Sequence, residues 1–292
     1  MKIDQQSNTH QCRAIAFSPD GSRVALAGFD GTLRLLDGAT GVEMLTIFAH
    51  PSAVADVAFS PGGNQLASAS YDHTVRLWDA SRLTSDPQAS YCVTLTGHER
   101  QVSGVAFSPD SRWLGSSSWD CTVKLWELHG KSEPGAPGAI TLRYTLRGHS
   151  GNVIGVAFSP DNQTVASASW DNTVKLWNLQ APERDGLAER GTIRLTQRAS
   201  SIAFSPDGGL LAIGEANGIA LYDTASGKEV HPFKRTPSPV PSLAFHPDRP
   251  LLISAGASDP AVQVWDVARA TRRFEIRHDS NPNASEIGRA HV

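Results

Sequence analysis

Three segments of the 292-residue chain carry His, Ser and Asp at fixed offsets. His50, Ser68 and Asp72 form the first set, His98, Ser116 and Asp120 the second, and His149, Ser167 and Asp171 the third. These are the residue types of a nucleophilic hydrolase, in which a histidine takes the serine proton and a carboxylate orients the ring. His and Asp are 22 residues apart in every set, and a tryptophan follows six residues on, at Trp78, Trp126 and Trp177. A catalytic triad is needed once. Three copies at one spacing indicate a structural device that satisfies buried polar groups and ties a loop to its neighbouring strands. No unrepeated Ser, His and Asp set, no paired carboxylates at one loop end and no metal-ligand spacing argue for an enzyme.

The elements that must hold these residues are also repeated. The string AFSPD, or a close variant, places Phe17, Phe59, Phe107, Phe158, Phe204 and Phe245 at intervals of 42, 48, 51, 46 and 41 residues. Each unit opens with a short apolar run, then Ser-Pro-Asp or a close variant, where proline presets a turn. A second strand of small and β-branched residues follows, then a turn at Asp, then an alternating strand such as TVKLW. A fourth, variable segment such as GVEMLTIFA completes the unit. No helical periodicity is sustained. The expected fold is all-β: a β-propeller with six four-stranded antiparallel blades encoded here.

The Gly97-His98 and Gly148-His149 pairs, the weaker Ala49-His50, and the endings Trp78-Asp79, Trp126-Glu127, Trp177-Asn178 and Trp265-Asp266 resemble the WD-repeat β-propeller family, with bacterial-type repeats, over residues 10–278. The resemblance implies that His, Ser, Asp and the Trp indole form one hydrogen-bonded tetrad in blades two to four. It implies a single domain over 1–278, with blades at about 9–49, 50–97, 98–148, 149–196, 197–235 and 236–278. It also implies that the residue before each turn Asp, namely Phe29, Tyr71, Trp119 and Trp170, lies at the mouth of the central channel. Positions three and five after the His join that face: Gln101 and Ser103, Asn152 and Ile154, with Arg100 at the rim beside Arg13 and Arg198. Trp and Tyr rings at a solvent-facing turn gain little for folding and are frequent interface anchors. Each ring could instead lie flat on a neighbouring blade. Counting back from Tyr222 and Trp265 gives Glu215 and Ser258 at the ring position of the last two blades.

The formal charge is -3, and acidic and basic residues alternate without blocks. That balance argues against a nucleic-acid or anionic-lipid footprint. No apolar run has the length of a membrane span, and the first residues lack the apolar core of a secretory signal. Three scattered cysteines, Cys12, Cys92 and Cys121, suggest reduced thiols in a cytoplasmic protein rather than a disulfide framework or a zinc site. Neither a cofactor, nor a metal, nor a small-molecule substrate is expected. The segments 79–90, 127–139 and 178–191, rich in Pro, Gly and mixed charge, read as flexible loops on the opposite face. Residues 279–292 match no repeat position, and EIGRAHV at the end reads as an adapter-derived addition over 287–292. The natural protein is then expected to continue into at least a seventh blade; a polar tail on a closed six-bladed ring is the other reading. Three functions are compatible with these residues: a scaffold binding a protein or peptide on the aromatic face, a regulatory module of a larger signalling protein, and, least supported, a propeller enzyme with a channel-mouth site.

Overall fold

The computed structural model describes residues 12–83, 92–129, 139–183, 186–232, 239–256 and 261–277. These form 24 strands in six four-stranded antiparallel sheets, each with its strands in chain order, and contain no helix. The sheets are the blades of a β-propeller. Their inner strands are Cys12–Phe17, Val54–Phe59, Val102–Phe107, Val153–Phe158, Ala199–Phe204 and Ser242–Phe245. Their outer strands are Glu43–Phe48, Cys92–Leu95, Ile140–Leu146, Gly186–Arg194, Glu229–Pro232 and Thr271–Arg277.

A Ser-Pro-Asp turn gives the inner strands of blades one, three, four and five the same ending. The serine is buried, and its hydroxyl oxygen accepts the N–H of the residue five positions on, at 2.9 Å from Arg23 to Ser18 and 2.8 Å from Trp113 to Ser108. The same hydroxyl donates to the aspartate two residues later, as Ser18 does to Asp20 at 2.6 Å. One side chain therefore fixes both the turn and the register of the first two strands.

Period-two alternation sends one side of each blade to the blade before and the other to the blade after. Phe158 and Val156 of blade four lie over Gly115 of blade three, where an added Cβ would meet both at 3.1 Å. Phe59 packs likewise on the cluster of Ala25, Leu33 and Leu35 in blade one. Aromatic on small is the rule of every packed interface, so the core is a row of five apolar seams rather than one central mass. Inner strands pack pairwise from blade one through blade six, while the pair Cys12–Phe17 and Ser242–Phe245 is not among the packed ones.

One expected loop is ordered differently. The stretch 178–191 continues the third strand of blade four, Thr173–Glu183, into a long hairpin with Gly186–Arg194, whose last pair is Glu183 and Gly186. Proline is tolerated there because the hairpin runs past the body of the sheet, with a register break between Asn178 and Pro182. Most of the other two expected loops, and the tail at 279–292, lie outside the described residues.

Candidate functional site

The three His, Ser and Asp sets converge, and they are fully built. In blade four the His149 ring nitrogens reach Asp171 Oδ2 and Ser167 Oγ, each at 2.8 Å, and Trp177 Nε1–H donates to Ser167 Oγ at 2.9 Å. Blade two repeats this with His50, Asp72, Ser68 and Trp78 at 2.8, 2.8 and 3.0 Å. Blade three does so with His98, Asp120, Ser116 and Trp126 at 2.7, 2.8 and 3.0 Å. A carboxylate can only accept, so Nδ1 carries the proton, Nε2 accepts from the serine hydroxyl, and the indole N–H enters at the far end. Donation thus runs from Trp to Ser to His to Asp. Burial lowers the pKa of His50 and His149 and keeps the rings neutral. Burial pushes Asp72 upward, but hydrogen bonds from His50 and Thr74 outweigh it and hold the carboxyl below its ordinary range. Ser68, Ser116 and Ser167 are 0% exposed and no substrate carbonyl can reach them.

Sequence reasoning missed a fifth member. Thr74, Thr122 and Thr173 each donate a hydroxyl to the tetrad aspartate's Oδ1, at 2.7, 2.6 and 2.6 Å, and their backbone N–H groups do the same. The residue between Asp and Thr turns left-handed: His73 at φ 73°, Cys121 at 68° and Asn172 at 63°. The signal was present as the recurring Asp-x-Thr.

This turn aims the rings. The N–H of Tyr71 donates to Ala53 O, that of Trp119 to Gln101 O, and that of Trp170 to Asn152 O, at 3.0, 2.9 and 2.9 Å. The third residue after each tetrad His therefore sets the ring position through its carbonyl. The rings of adjacent blades touch. Tyr71 and Trp119 have centroids 5.4 Å apart, and Trp119 and Trp170 5.6 Å apart, tilted by 50° and 40°. Arg13 lies 5.1 Å from both the Phe29 and Tyr71 centroids, and Arg198 lies 5.6 Å from that of Trp170. The result is a ladder across four blades with a guanidinium over each end, in which Phe29 is 43% and Trp170 39% exposed. Each cation–π contact adds on the order of 1 kcal/mol and holds a ring in place.

Other residues of this face are occupied differently. The Ser103 hydroxyl donates to Val153 O of the next blade at 2.6 Å, and Ile154 packs on the seam between blades four and five. Arg100 is exposed, and its carbonyl accepts from Ser118 Oγ at 3.2 Å. Glu215 is not a ring position. Its pairing with Gly218, and that of Leu211 with Tyr222, set it level with Ser70, because the turn of blade five is one residue shorter. Thr196 takes the histidine's place there, 3.4 Å from Glu215 Oε2, and Ile213 takes the serine's. In blade six Trp265 Nε1–H donates to Ser254 Oγ at 2.8 Å, while Ser258 lies outside the described residues. Inside the channel wall, Asp56 accepts the Val105 N–H of blade three at 2.9 Å, and burial raises its pKa to about 6. Cys12 and Cys121 are free thiols.

The family described as WD domain, G-beta repeat matches residues 4–37, 41–79, 89–127, 140–178 and 227–266. The longest unmatched stretch, 179–226, contains most of blade five, one of the blades without a full tetrad. The periodic tryptophan protein 2 homolog of Mus musculus is 38% identical over 86 residues, 29% of this chain and 9% of that protein. The small ribosomal subunit protein RACK1y of Oryza sativa is 34% identical over 125 residues, 41% of this chain and 34% of its own. The small ribosomal subunit protein RACK1 of Caenorhabditis elegans is 30% identical over 151 residues, 50% and 44% of the two chains. The matched segments thus span less than half of each relative. No described helix is long and apolar enough to cross a membrane. With repeats of this family matched along most of its length, and each tetrad assembled, the chain belongs to the WD-repeat β-propeller family.

Proposed function

We propose that the protein is a non-enzymatic interaction scaffold that binds a protein or peptide segment across the ring ladder. The observation that carries this reading is the ladder itself: Tyr71, Trp119 and Trp170 in contact, with Phe29 and Trp170 presenting exposed ring surface at its ends. Rings locked by neighbours and by a hydrogen-bonded turn need little further ordering when a partner docks, so little of the contact energy is lost to entropy. Every tetrad serine is buried and already bonded to two partners, which removes the one constellation with hydrolase chemistry from reach of a substrate. The net charge of -3 favours a polypeptide partner over nucleic acid. Two relatives named as small ribosomal subunit proteins make a nuclease-treated arm of the test necessary.

The test is affinity capture with and without nuclease, followed by titration of the captured partner against single variants. Trp119→Ala and Trp170→Ala should each weaken binding about tenfold or more, since truncating an interface anchor costs about 2 kcal/mol. Phe29→Ala should cost less, because its only ring-ladder contact is through Arg13. A deletion within 127–139 should leave affinity unchanged. Normal binding by both Trp variants together with failure of the deletion would move the working surface to the opposite face.

A further inference from the structure

Five tryptophans are buried, and four of them put the indole N–H to use. Trp78, Trp126, Trp177 and Trp265 each donate it to a serine hydroxyl of their own blade. Trp113, 6% exposed, is the exception, since its N–H has no acceptor among the described residues. Buried indoles ordinarily find one. Trp113 lines a cleft of about 270 Å³ between blades three and four, at the strand ends opposite the ring ladder. Blade one shows why room is left there. Arg23 opens the second strand of blade one as Trp113 opens that of blade three. Its guanidinium lies 5.5 Å from the Phe59 centroid and donates to Gly63 O at 3.0 Å and Ala80 O at 2.6 Å, which fills the seam to blade two. The residues of blade four at those two places are Asn162 and Leu179, and both line the open cleft. Trp113 instead turns its ring to Tyr144 of its own outer strand, with centroids 5.7 Å apart. The long hairpin of blade four supplies a wall through Gln180 and Pro182, and its Leu187 is buried in the cluster of Trp113, with Tyr144 packed against it.

We propose that this cleft is a binding site for a carboxylate carried by a polypeptide, separate from the ladder and on the other face. The groups it leaves free are donors. Arg143 lies 5.7 Å from the Tyr144 centroid and makes no ion pair among the described residues. The nearby acceptors are already in use. Glu127 Oε1 takes both Nε–H and Nη2–H of Arg112, at 3.2 and 2.7 Å, and Asp110 Oδ1 takes the Ser108 hydroxyl and the Arg112 backbone N–H. What remains is an indole N–H and a guanidinium fork on one cleft, a pair that suits a planar monoanion. A phosphate group carries about -1.5 to -2 at neutral pH and would set its second charge against Asp110 and Glu127. A cationic side chain would meet Arg112 and Arg143 together. A single carboxylate, on an acidic side chain or a chain terminus, matches both the donors and the charge.

The probes are acetyl-Gly-Glu-Gly-amide, its Gln counterpart, acetyl-Gly-Gly-Gly with a free terminal carboxylate, and inorganic phosphate, each titrated at constant ionic strength. The readout is the Trp113 indole N–H in proton–nitrogen correlation spectra, one of seven such signals and assigned as the one lost in Trp113→Phe. The Glu peptide should move this signal downfield and saturate with a Kd on the order of 1–10 mM, as expected for a contact of one residue. The Gln peptide should leave it in place, and the Trp119 and Trp170 signals of the ladder should stay still throughout. Arg143→Gln, at an exposed position, should keep the wild-type melting midpoint and weaken the Glu peptide about tenfold. A stronger response to the free terminus assigns the site to chain ends, and a stronger response to the Glu side chain assigns it to internal acidic segments; either supports the proposal. It is overturned if no carboxylate moves the Trp113 signal, if the Gln peptide moves it equally, or if the ladder signals move with it. Wild-type binding by Arg143→Gln, or tighter binding of phosphate than of either carboxylate, would overturn it as well.

Discussion

Replacing Ser167 by alanine should be among the costliest one-atom deletions in this molecule. The hydroxyl accepts the Trp177 indole N–H at 2.9 Å and donates to His149 Nε2 at 2.8 Å, in a position with 0% exposure. Water cannot enter to replace it, so one donor and one acceptor are left buried and unpaired. Each such group costs about 1–3 kcal/mol, giving a loss of about 2–5 kcal/mol for the single change. For a chain of this size that is a fall in melting midpoint of roughly 3–8 °C. Urea denaturation at neutral pH, followed by tryptophan fluorescence, measures it directly. A double-mutant cycle with Trp177→Phe isolates the mechanism, because phenylalanine has no N–H to orphan. The double variant should be less damaged than the summed singles by about 1 kcal/mol or more. A single-variant loss below about 0.5 kcal/mol, or strictly additive effects, would refute the reasoning that the shared hydroxyl holds the tetrad together.

The remaining expectations concern charge and turn geometry. Asp56, desolvated against blade three with a pKa raised to about 6, favours the folded state most when protonated, so its contribution is complete below the unfolded value near 4 and is lost as pH rises through 6. The stability difference between wild type and Asp56→Asn should therefore shift by about 2–3 kcal/mol from pH 4 to pH 7, and a flat difference in paired denaturation curves would contradict it. His50 and His149 act in the opposite direction, since the unfolded rings take up protons near pH 6.5 and the buried ones do not; acidification below that value should destabilise wild type more than a His149→Gln variant. Asp72, Asp120 and Asp171, all held below their ordinary range, contribute stability above about pH 4 that disappears as pH falls further, so acid titration of unfolding should steepen there. His73→Gly and Cys121→Gly should each stabilise by about 0.5–1 kcal/mol, because both occupy left-handed backbone, and a lowered melting midpoint would show that their side chains matter more than their φ angles.

The parts of this architecture that the sequence displayed are those written at constant offsets. The offset of 22 residues from His to Asp recurs because the loop and turn it spans have one length in blades two to four, and the tetrads assemble there. Blade five shows how that reading breaks. Its turn is shorter by a residue, so counting from Tyr222 lands on Glu215, while the strand pairing places that residue within the sheet. Contacts between blades leave no offset to count. The bond from Ser103 to Val153 O, the reach of Asp56 to Val105, and the ring-to-ring contacts of the ladder join residues about 50 apart whose nearness depends on how two sheets pack. The hairpin at 173–194 was hidden for a different reason: Pro and Gly mark a loop by local preference, and pairing with a long outer strand overrides that preference.

Blade five, with Thr196, Ile213 and Tyr222 where blades two to four have His, Ser and Trp, has a consequence for how the molecule comes apart. In a row of units stabilised by nearest-neighbour contacts, the order of opening follows the weakest link. Amide protons in Thr164–Ser169 and in Trp113–Ser118 sit in strands that are buried throughout and locked by tetrads, and they should exchange with solvent only when the whole fold is lost. Those of Leu251–Ala255 have no full lock on either side and should exchange by a cheaper route, in which blade six lifts away while blades two to four stay closed. Proteolysis of the native protein would then begin beyond Arg194 and leave an amino-terminal fragment that is still folded.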